Sequence, residues 1–149
     1  MKIALISDTH GIFREEWVPH ITACDYLIHA GDINTKTCYE KFKSLGVPAY
    51  FVKGNTDMGE WAANLPEFLS VPIGGKIFYI SHNQYDFPFD LTDADFLIFG
   101  HTHMYTYYER FGKVYVNPGS AAQPRGDSKS MAVLELNEDG SYHLTRIFL

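Results

Sequence analysis

Residues 2–10 read Lys2-Ile-Ala-Leu-Ile-Ser-Asp-Thr-His10, an apolar run that ends in an acid and a histidine. Four consecutive apolar residues without alternation are typical of a strand that is buried on both faces. Asp8 and His10 follow directly, and alternate side chains of an extended backbone point to the same side. Both could therefore reach one ion, although a solvated loop after a strand would look the same.

The same combination of an apolar run and polar residues recurs four more times. The later motifs are Gly31-Asp32, Gly54-Asn55, Ser81-His82 and Gly100-His101-Thr-His103. Each has an ordinary alternative when taken alone: a capping aspartate at Asp32, a turn at Asn55 or a structural histidine at His82. Their joint occurrence after five predicted strands favours a common site instead.

The five motifs together contribute two aspartates, four histidines and one asparagine. All are metal ligands, and seven exceed the needs of one divalent ion but suit two. A pair of divalent ions narrows the chemistry to hydrolysis, most often of a phosphate ester.

The predicted secondary structure changes character along the chain. Its first part alternates strands at 2–7, 26–30 and 49–52 with helices at 14–22 and 36–45, which favours a parallel sheet with right-handed crossovers. The carboxyl ends of parallel strands cluster, so Asp8, Asp32 and Asn55 should lie together. The second part contains predicted strands at 68–73, 76–81, 96–99, 105–110, 113–117, 130–136 and 141–148. We predict a single α/β domain over residues 1–149, with two packed sheets and helices outside.

Composition limits the class of partner. The chain has 149 residues, 46% of them hydrophobic, which is enough for one sizeable core. Its net charge of −6 provides no general basic surface, so we expect no nucleic-acid polymer as partner. No apolar run is long enough to cross a bilayer. Cys24 and Cys38 form no Cys-x-x-Cys pair, which favours reduced thiols in a cytoplasmic protein over the alternative of a disulfide between them.

The ordered motifs resemble those of the calcineurin-like metallophosphoesterase superfamily. The later stretch Asn117-Pro-Gly-Ser-Ala-Ala-Gln-Pro-Arg125 is similar to its small bacterial and archaeal phosphodiesterase branch. The resemblance runs from Ile3 to about Arg125. It implies the metallo-dependent phosphatase fold, a four-layer α/β sandwich of two mixed β-sheets flanked by helices, with a dinuclear site.

The resemblance also implies a set of ligands for each metal. The first metal would be held by Asp8, His10 and His103, and the second by Asn55, His82 and His101, with Asp32 as the bridge. The expected cofactors are two divalent transition-metal ions, manganese first, with nickel, iron and zinc as alternatives. This mixed set of oxygen and nitrogen ligands suits such ions better than calcium or magnesium.

The implied reaction is in-line displacement at phosphorus by a hydroxide that bridges the metals. Asp32, Asn55 and His101 would be the catalytic residues, and Asn55 and Arg125 would bind the substrate, a small phosphodiester. Three alternatives stay open: a phosphomonoesterase of the same fold, a scaffold that resembles the retromer subunit of this fold, and a metal-binding regulatory module. For Arg125, an exposed loop arginine without a role in binding is an equally good interpretation. The aromatic C-terminal hairpins suggest a homodimer.

Two positions depart from the superfamily pattern. Thr56 stands where many members have a histidine that protonates the leaving group, and the fourth motif reads His82-Asn83-Gln84 rather than His-Gly-His. Threonine is a poor general acid near neutral pH. We therefore predict a steep dependence of rate on the pKa of the leaving group.

Overall fold

The computed structural model describes Met1 to Leu149. The N-terminal apolar run forms the central strand of its first sheet. The strands of this sheet are β1 (Lys2–Ile6), β2 (Tyr26–His29), β3 (Ala49–Phe51), β9 (Ser130–Leu136) and β10 (Tyr142–Phe148). They lie in the order β10-β9-β1-β2-β3. β1, β2 and β3 are parallel as predicted, whereas β9 and β10 extend the sheet as an antiparallel hairpin.

The second sheet is built from the middle of the chain. Its strands are β4 (Phe68–Ile73), β5 (Lys76–Ser81), β6 (Phe96–Ile98), β7 (Tyr105–Arg110) and β8 (Lys113–Pro118). They lie in the order β4-β5-β6-β8-β7, with β5, β6 and β8 parallel at the centre. Each sheet is therefore mixed, with three parallel strands.

The alternation of side chains along β1 separates two cores. Ile3 and Leu5 belong to the larger cluster of sixteen buried residues, which includes residues of both sheets. Ala4 and Ile6 point the other way and pack with residues of the helices, such as Ile21. Burial on both faces explains why β1 reads as an unbroken apolar run.

The helices are short and cover mainly the first sheet. They are α1 (Val18–Thr22) and α2 (Lys36–Lys43), with single 3-10 turns at Glu15–Trp17, Glu60–Ala62 and Gln84–Asp86. Thr35 caps α2, because its hydroxyl oxygen accepts the N–H of Cys38 at 3.2 Å. None of these helices has the length and hydrophobicity needed to span a bilayer.

The continuous helix predicted at 14–22 is wrong in detail. The segment forms a 3-10 turn followed by α1, and Pro19 lies in the first turn of α1. A proline is tolerated there because the first N–H groups of a helix have no intrahelical partner. Pro19 thus begins a new helix rather than interrupting a longer one.

The outer face of the second sheet is covered by an irregular segment rather than by α-helices. The cluster of Tyr79, Ala94 and Leu97 packs there against Phe87 and Leu91, from a segment that contains only one 3-10 turn. The two sheets and their α/β class agree with the prediction, while the helical layer on this side is reduced to an irregular segment. Cys24 and Cys38 are both free and buried.

Candidate metal centre

The backbone is left-handed at most of the predicted ligands. Seven residues other than glycine have positive φ, and five of them are predicted ligands: Asp8 (53°), His10 (49°), Asp32 (57°), His101 (76°) and His103 (60°). Such backbone costs about 1–3 kcal/mol per residue and persists only where the surrounding structure enforces it. The strand ends therefore bend sharply, and these bends carry the polar side chains.

Four of the predicted ligands form a tight group at the edge of the two sheets. The ligand atoms of Asp8, His10, Asp32 and His103 all lie within 4.8 Å of one another. Nε2 of His103 is 3.2 Å from Oδ1 of Asp8 and 3.1 Å from Nε2 of His10. This group contains the residues expected around the first metal, together with the expected bridge.

The other three predicted ligands continue from Asp32. Nε2 of His82 lies 3.3 Å from Oδ2 of Asp32, and the rings of His82 and His101 are 5.2 Å apart. Nδ1 of His101 is 3.1 Å from Oδ1 of Asn55. Two ligands of one ion, each bound at about 2.1 Å, have a similar separation.

Asp32 uses its two oxygens differently. Oδ1 accepts the N–H of Thr56 at 3.0 Å. Oδ2 lies 3.7 Å from Nε2 of His10 and 3.3 Å from Nε2 of His82. One oxygen thus faces a histidine of each group, which is the geometry that a bridging ligand needs.

Hydrogen bonds to carbonyl groups orient two of the histidines. Nδ1 of His82 lies 2.7 Å from the carbonyl oxygen of Ala30, and Nδ1 of His103 lies 2.6 Å from that of Gln123. A carbonyl oxygen only accepts, so Nδ1 carries the proton in each ring. Nε2 of the neutral ring is then an acceptor that faces the carboxylates, as in metal-ligating histidines.

Two buried atoms in this centre lack a hydrogen-bond donor. Oδ1 of Asp8 and Nε2 of His82 have no hydrogen-bond partner and lie 3.8 Å apart. Nε2 of His103 lies 3.2 Å from Oδ1 of Asp8, but in the neutral ring, with its proton on Nδ1, it is also an acceptor. An unsatisfied buried polar atom costs about 1–3 kcal/mol. A divalent cation would satisfy these acceptors together, so the residues fit a metal.

The charges in the centre favour cation binding. Burial by itself would raise the pKa of Asp8 and of Asp32, but hydrogen bonds and nearby histidines hold both pKa values below the ordinary range. The same carboxylates raise the pKa of His82, against the effect of burial, and that of His103. Burial lowers the pKa of His10. Two ionised carboxylates therefore remain buried side by side, where a cation would be attracted.

Two glycines permit the close packing of the ligand loops. A Cβ atom at Gly54 would overlap Oδ1 of Asp32, and one at Gly100 would overlap the hydroxyl of Ser7. The glycines of the Gly-Asn and Gly-His motifs are thus required by the approach of one loop to another.

Asp57 is a functional residue that sequence reasoning missed. Its buried carboxylate accepts four backbone N–H groups at 2.8–3.0 Å, from Asp32, Ile33, Asn34 and Gly54. It therefore ties the loop that carries Asp32 to the loop that carries Asn55. The available signal was an acid two positions after the Gly-Asn pair, where a carboxylate can accept the N–H groups of a facing loop.

The end of β8 and the segment that follows it hold the loops of two predicted ligands in place. The amide nitrogen of Asn117 donates to the carbonyl oxygen of Gly100 at 3.0 Å, and the hydroxyl of Ser120 donates to that of Asp8 at 2.7 Å. The carbonyl group of Gln123 orients His103, as described above. The Asn-Pro-Gly-Ser motif thus holds two ligand loops in place.

The predicted substrate residues lie at the rim of the centre. Arg125 is exposed, and its backbone N–H donates to the carbonyl oxygen of His103 at 3.2 Å. Asn55 is also exposed, whereas Asp8, Asp32, His82 and His103 are buried. The hydroxyl of Thr56 donates to the side-chain oxygen of Asn34.

Comparison with known proteins identifies the family. The sequence model for a calcineurin-like phosphoesterase superfamily domain matches residues 1–139 of the chain. The chain therefore belongs to the calcineurin-like phosphoesterase superfamily, and the predicted family is confirmed.

Individual relatives share about a quarter of the sequence. The probable metallophosphoesterase YsnB of Bacillus subtilis is 29% identical over 156 residues, covering 95% of this chain and 88% of the relative. Phosphodiesterase MJ0936 of Methanocaldococcus jannaschii is 28% identical over 144 residues, covering 80% and 83%. The structure of zinc-complexed Vps29 from Entamoeba histolytica superposes with a TM-score of 0.76 at 25% identity, covering 99% of both chains. The predicted α/β fold is confirmed by this similarity.

Proposed function

We propose that the chain is a metal-dependent phosphodiesterase that hydrolyses small phosphodiesters at a dinuclear site. The observation that carries this proposal is the convergence on Oδ2 of Asp32, which faces His10 on one side and His82 on the other. The ions would be manganese, with nickel, iron or zinc as alternatives. The zinc in the similar Vps29 structure supports a divalent transition metal.

Each group of residues has a distinct task in this proposal. Asp8, His10 and His103 would hold one ion and Asn55, His82 and His101 the other, with Asp32 between them. Bound divalent ions lower the pKa of water from about 15.7 toward 7 and so supply the nucleophile for in-line attack at phosphorus. The amide nitrogen of Asn55 makes no hydrogen bond within the protein and can donate to a phosphate oxygen. Arg125 would bind the phosphate at the rim.

The net reaction adds water across one ester bond. The oxygen of water forms a bond to phosphorus while the bond from phosphorus to the leaving oxygen breaks. The leaving oxygen takes up a proton and departs as an alcohol, and a phosphomonoester remains. No serine or cysteine nucleophile is required.

A diester substrate is favoured over the two alternatives by separate observations. A monoester dianion would require more cationic side chains than Lys53, which lines the same cleft as Asn55, and Arg125, which lies near His103. The relative MJ0936 is named a phosphodiesterase. Similarity to Vps29 raises the alternative of a retromer-subunit-like scaffold, but all seven ligand positions are filled here.

The test combines metal analysis with turnover. We expect the purified chain to bind about two manganese or nickel ions and to hydrolyse bis-aryl phosphates faster than mono-aryl phosphates. Asp32→Ala should lose both metals and at least about a thousandfold in kcat/KM, because it removes the bridge. Asp93→Ala, at an exposed loop aspartate, is the matched control. Retained activity in folded Asp32→Ala would contradict the assignment.

The leaving-group chemistry makes a second prediction. Thr56 is a poor acid and its hydroxyl is already engaged by Asn34, so the leaving oxygen lacks a strong proton donor at this position. We expect kcat to fall steeply as the leaving-group pKa rises across a series of aryl phosphodiesters. Thr56→His should flatten the dependence, and a flat series for the unmodified chain would refute the prediction.

A further inference from the structure

A polar cleft opens beside the residues of the second ligand group. It has a volume of about 170 Å³, nine residues line it, and none of them is hydrophobic. Asn55, His82 and His101 belong both to this cleft and to the candidate metal centre. A phosphodiester held at the centre would therefore extend one of its two ester groups into the cleft.

The volume of the cleft favours a small group. Sites for drug-sized ligands are larger, about 300–1,000 Å³. A substituent of three or four carbon atoms therefore suits the cleft better than a nucleoside or a fatty chain does.

The charged groups of the cleft are free to bind a ligand. Lys53 is half-buried, and Glu67 and Asp86 are exposed at its rim. None of the three takes part in the ion pairs of the protein. The side-chain oxygen of Asn83 accepts the N–H of Tyr85 at 3.1 Å, which leaves its amide nitrogen as a donor.

These groups match a hydroxylated substituent better than an apolar one. Carboxylates accept hydrogen bonds from hydroxyl groups, and the ammonium and amide groups donate to hydroxyl or phosphate oxygens. An aryl or alkyl group would displace water from the charged side chains and return no hydrogen bond to them. A site built to bind a hydroxyl group also discriminates against the analogue that lacks it.

We propose that this cleft is the subsite for a small hydroxylated ester group of the substrate, about the size of glyceryl. The inference rests on the proposed phosphodiesterase function and specifies its substrate class. Glu67 and Asp86 accept the hydroxyl groups of the substituent. Lys53 and Asn83 donate to it and to the neighbouring phosphate.

A matched pair of chromogenic diesters tests the subsite. The full chain, loaded with manganese, is assayed with 2,3-dihydroxypropyl p-nitrophenyl phosphate and with propyl p-nitrophenyl phosphate. Both release p-nitrophenolate, so only the two hydroxyl groups differ. We expect kcat/KM to be about tenfold higher for the dihydroxypropyl compound, as for one hydrogen bond to a charged group.

Variants assign the effect to the cleft. The double variant Glu67→Gln with Asp86→Asn should bring the ratio of the two kcat/KM values to about one or two, because it removes both charged acceptors. Glu138→Gln, at an exposed glutamate in the β9–β10 turn, should leave the ratio as it is. Calorimetric affinities for glycerol 3-phosphate and propyl phosphate should show the same order as the rates.

The outcomes separate the inference from the function on which it rests. Hydrolysis of both diesters with a ratio near one would overturn the subsite and leave the phosphodiesterase function standing. A high ratio that persists in the double variant would overturn the roles of Glu67 and Asp86. No hydrolysis of these diesters or of bis-aryl phosphates would overturn the function and the subsite together.

Discussion

At the scale of single residues, Asp57 shows how much of the centre depends on a side chain that need not touch a metal. It lies two positions after Asn55, and its four N–H donors belong to two different loops. With only 2% of its surface exposed, its charge is balanced by these backbone dipoles rather than by a cation. Asp57 is therefore a positioning residue for Asp32 and Asn55.

Asp57→Asn should destabilise the protein and weaken metal binding. The substitution replaces one acceptor oxygen by an NH2 group that faces N–H donors, at a cost of about 2–3 kcal/mol. Urea unfolding in EDTA measures this loss without any contribution from bound metal, and metal titration measures the second effect. Asp93→Asn is the control, and a loss below about 0.5 kcal/mol would count against this role.

At the scale of structural elements, Asp127 anchors the connection between β8 and β9 near its C-terminal end. Oδ2 of Asp127 accepts the N–H of Tyr105 at 2.8 Å, and Oδ1 forms an ion pair with Arg146 at 2.8 Å. The Arg146 guanidinium also lies 4.6 Å from the centre of the Tyr105 ring. The same connection carries Gln123, so this contact helps to place His103.

Asp127 should contribute stability that depends on pH. The Arg146 side chain and the N–H of Tyr105 lower the pKa of Asp127 to about 2. Because an unfolded aspartate has a pKa of about 3.9, the contribution is present above that pH and is lost as the pH falls toward 2.

The variant Asp127→Asn isolates this contribution. It should reduce the free energy of unfolding at pH 7 by about 1 kcal/mol, a modest value because the pair is partly exposed. The difference from the unmodified chain should shrink below about pH 4. Urea unfolding from pH 7 to pH 3 checks this, and a difference that does not change with pH would exclude the ion pair as its source.

At the scale of the whole molecule, the candidate metal centre joins the two sheets. Asp8 and Asp32 follow strands of the first sheet, whereas His82 and His103 come from connections of the second. Ions bound there would link the sheets at the edge where their parallel strands end. The predicted homodimer stays a prediction; Tyr107, Tyr108 and Phe111 of its aromatic hairpin are exposed.

Removing metal should therefore lower the stability of the whole fold. Manganese at a hundred times its Kd should stabilise the protein by about 2.7 kcal/mol per site, which for a chain of this size raises Tm by roughly 5–10 °C. Thermal unfolding with manganese and with EDTA measures the shift. Asp32→Ala should abolish it and Asp93→Ala should retain it, whereas equal Tm values in both conditions would speak against a metal site.

Much of the fold was predictable because the local patterns are strong. Burial on both faces requires the unbroken apolar run of β1, and Gly74-Gly75 marks the turn between β4 and β5. The predicted bounds of these three strands therefore differ from the observed bounds by at most one residue. The helix at 14–22 was not predictable in detail, since Pro19 can begin a helix or break one. The covering of the second sheet depends on long-range packing and has no local pattern.

The sequence by itself determined the inventory of this protein: the strands, the superfamily and seven polar residues at strand ends. Residue type and spacing carry that information because buried strands and metal ligands each demand particular side chains. Only the tertiary structure decided which oxygen of Asp32 faces both groups, which nitrogen of His82 and His103 carries the proton, and that Asp57 joins two loops. Those properties arise from atoms that are distant along the chain and adjacent only after both sheets have packed.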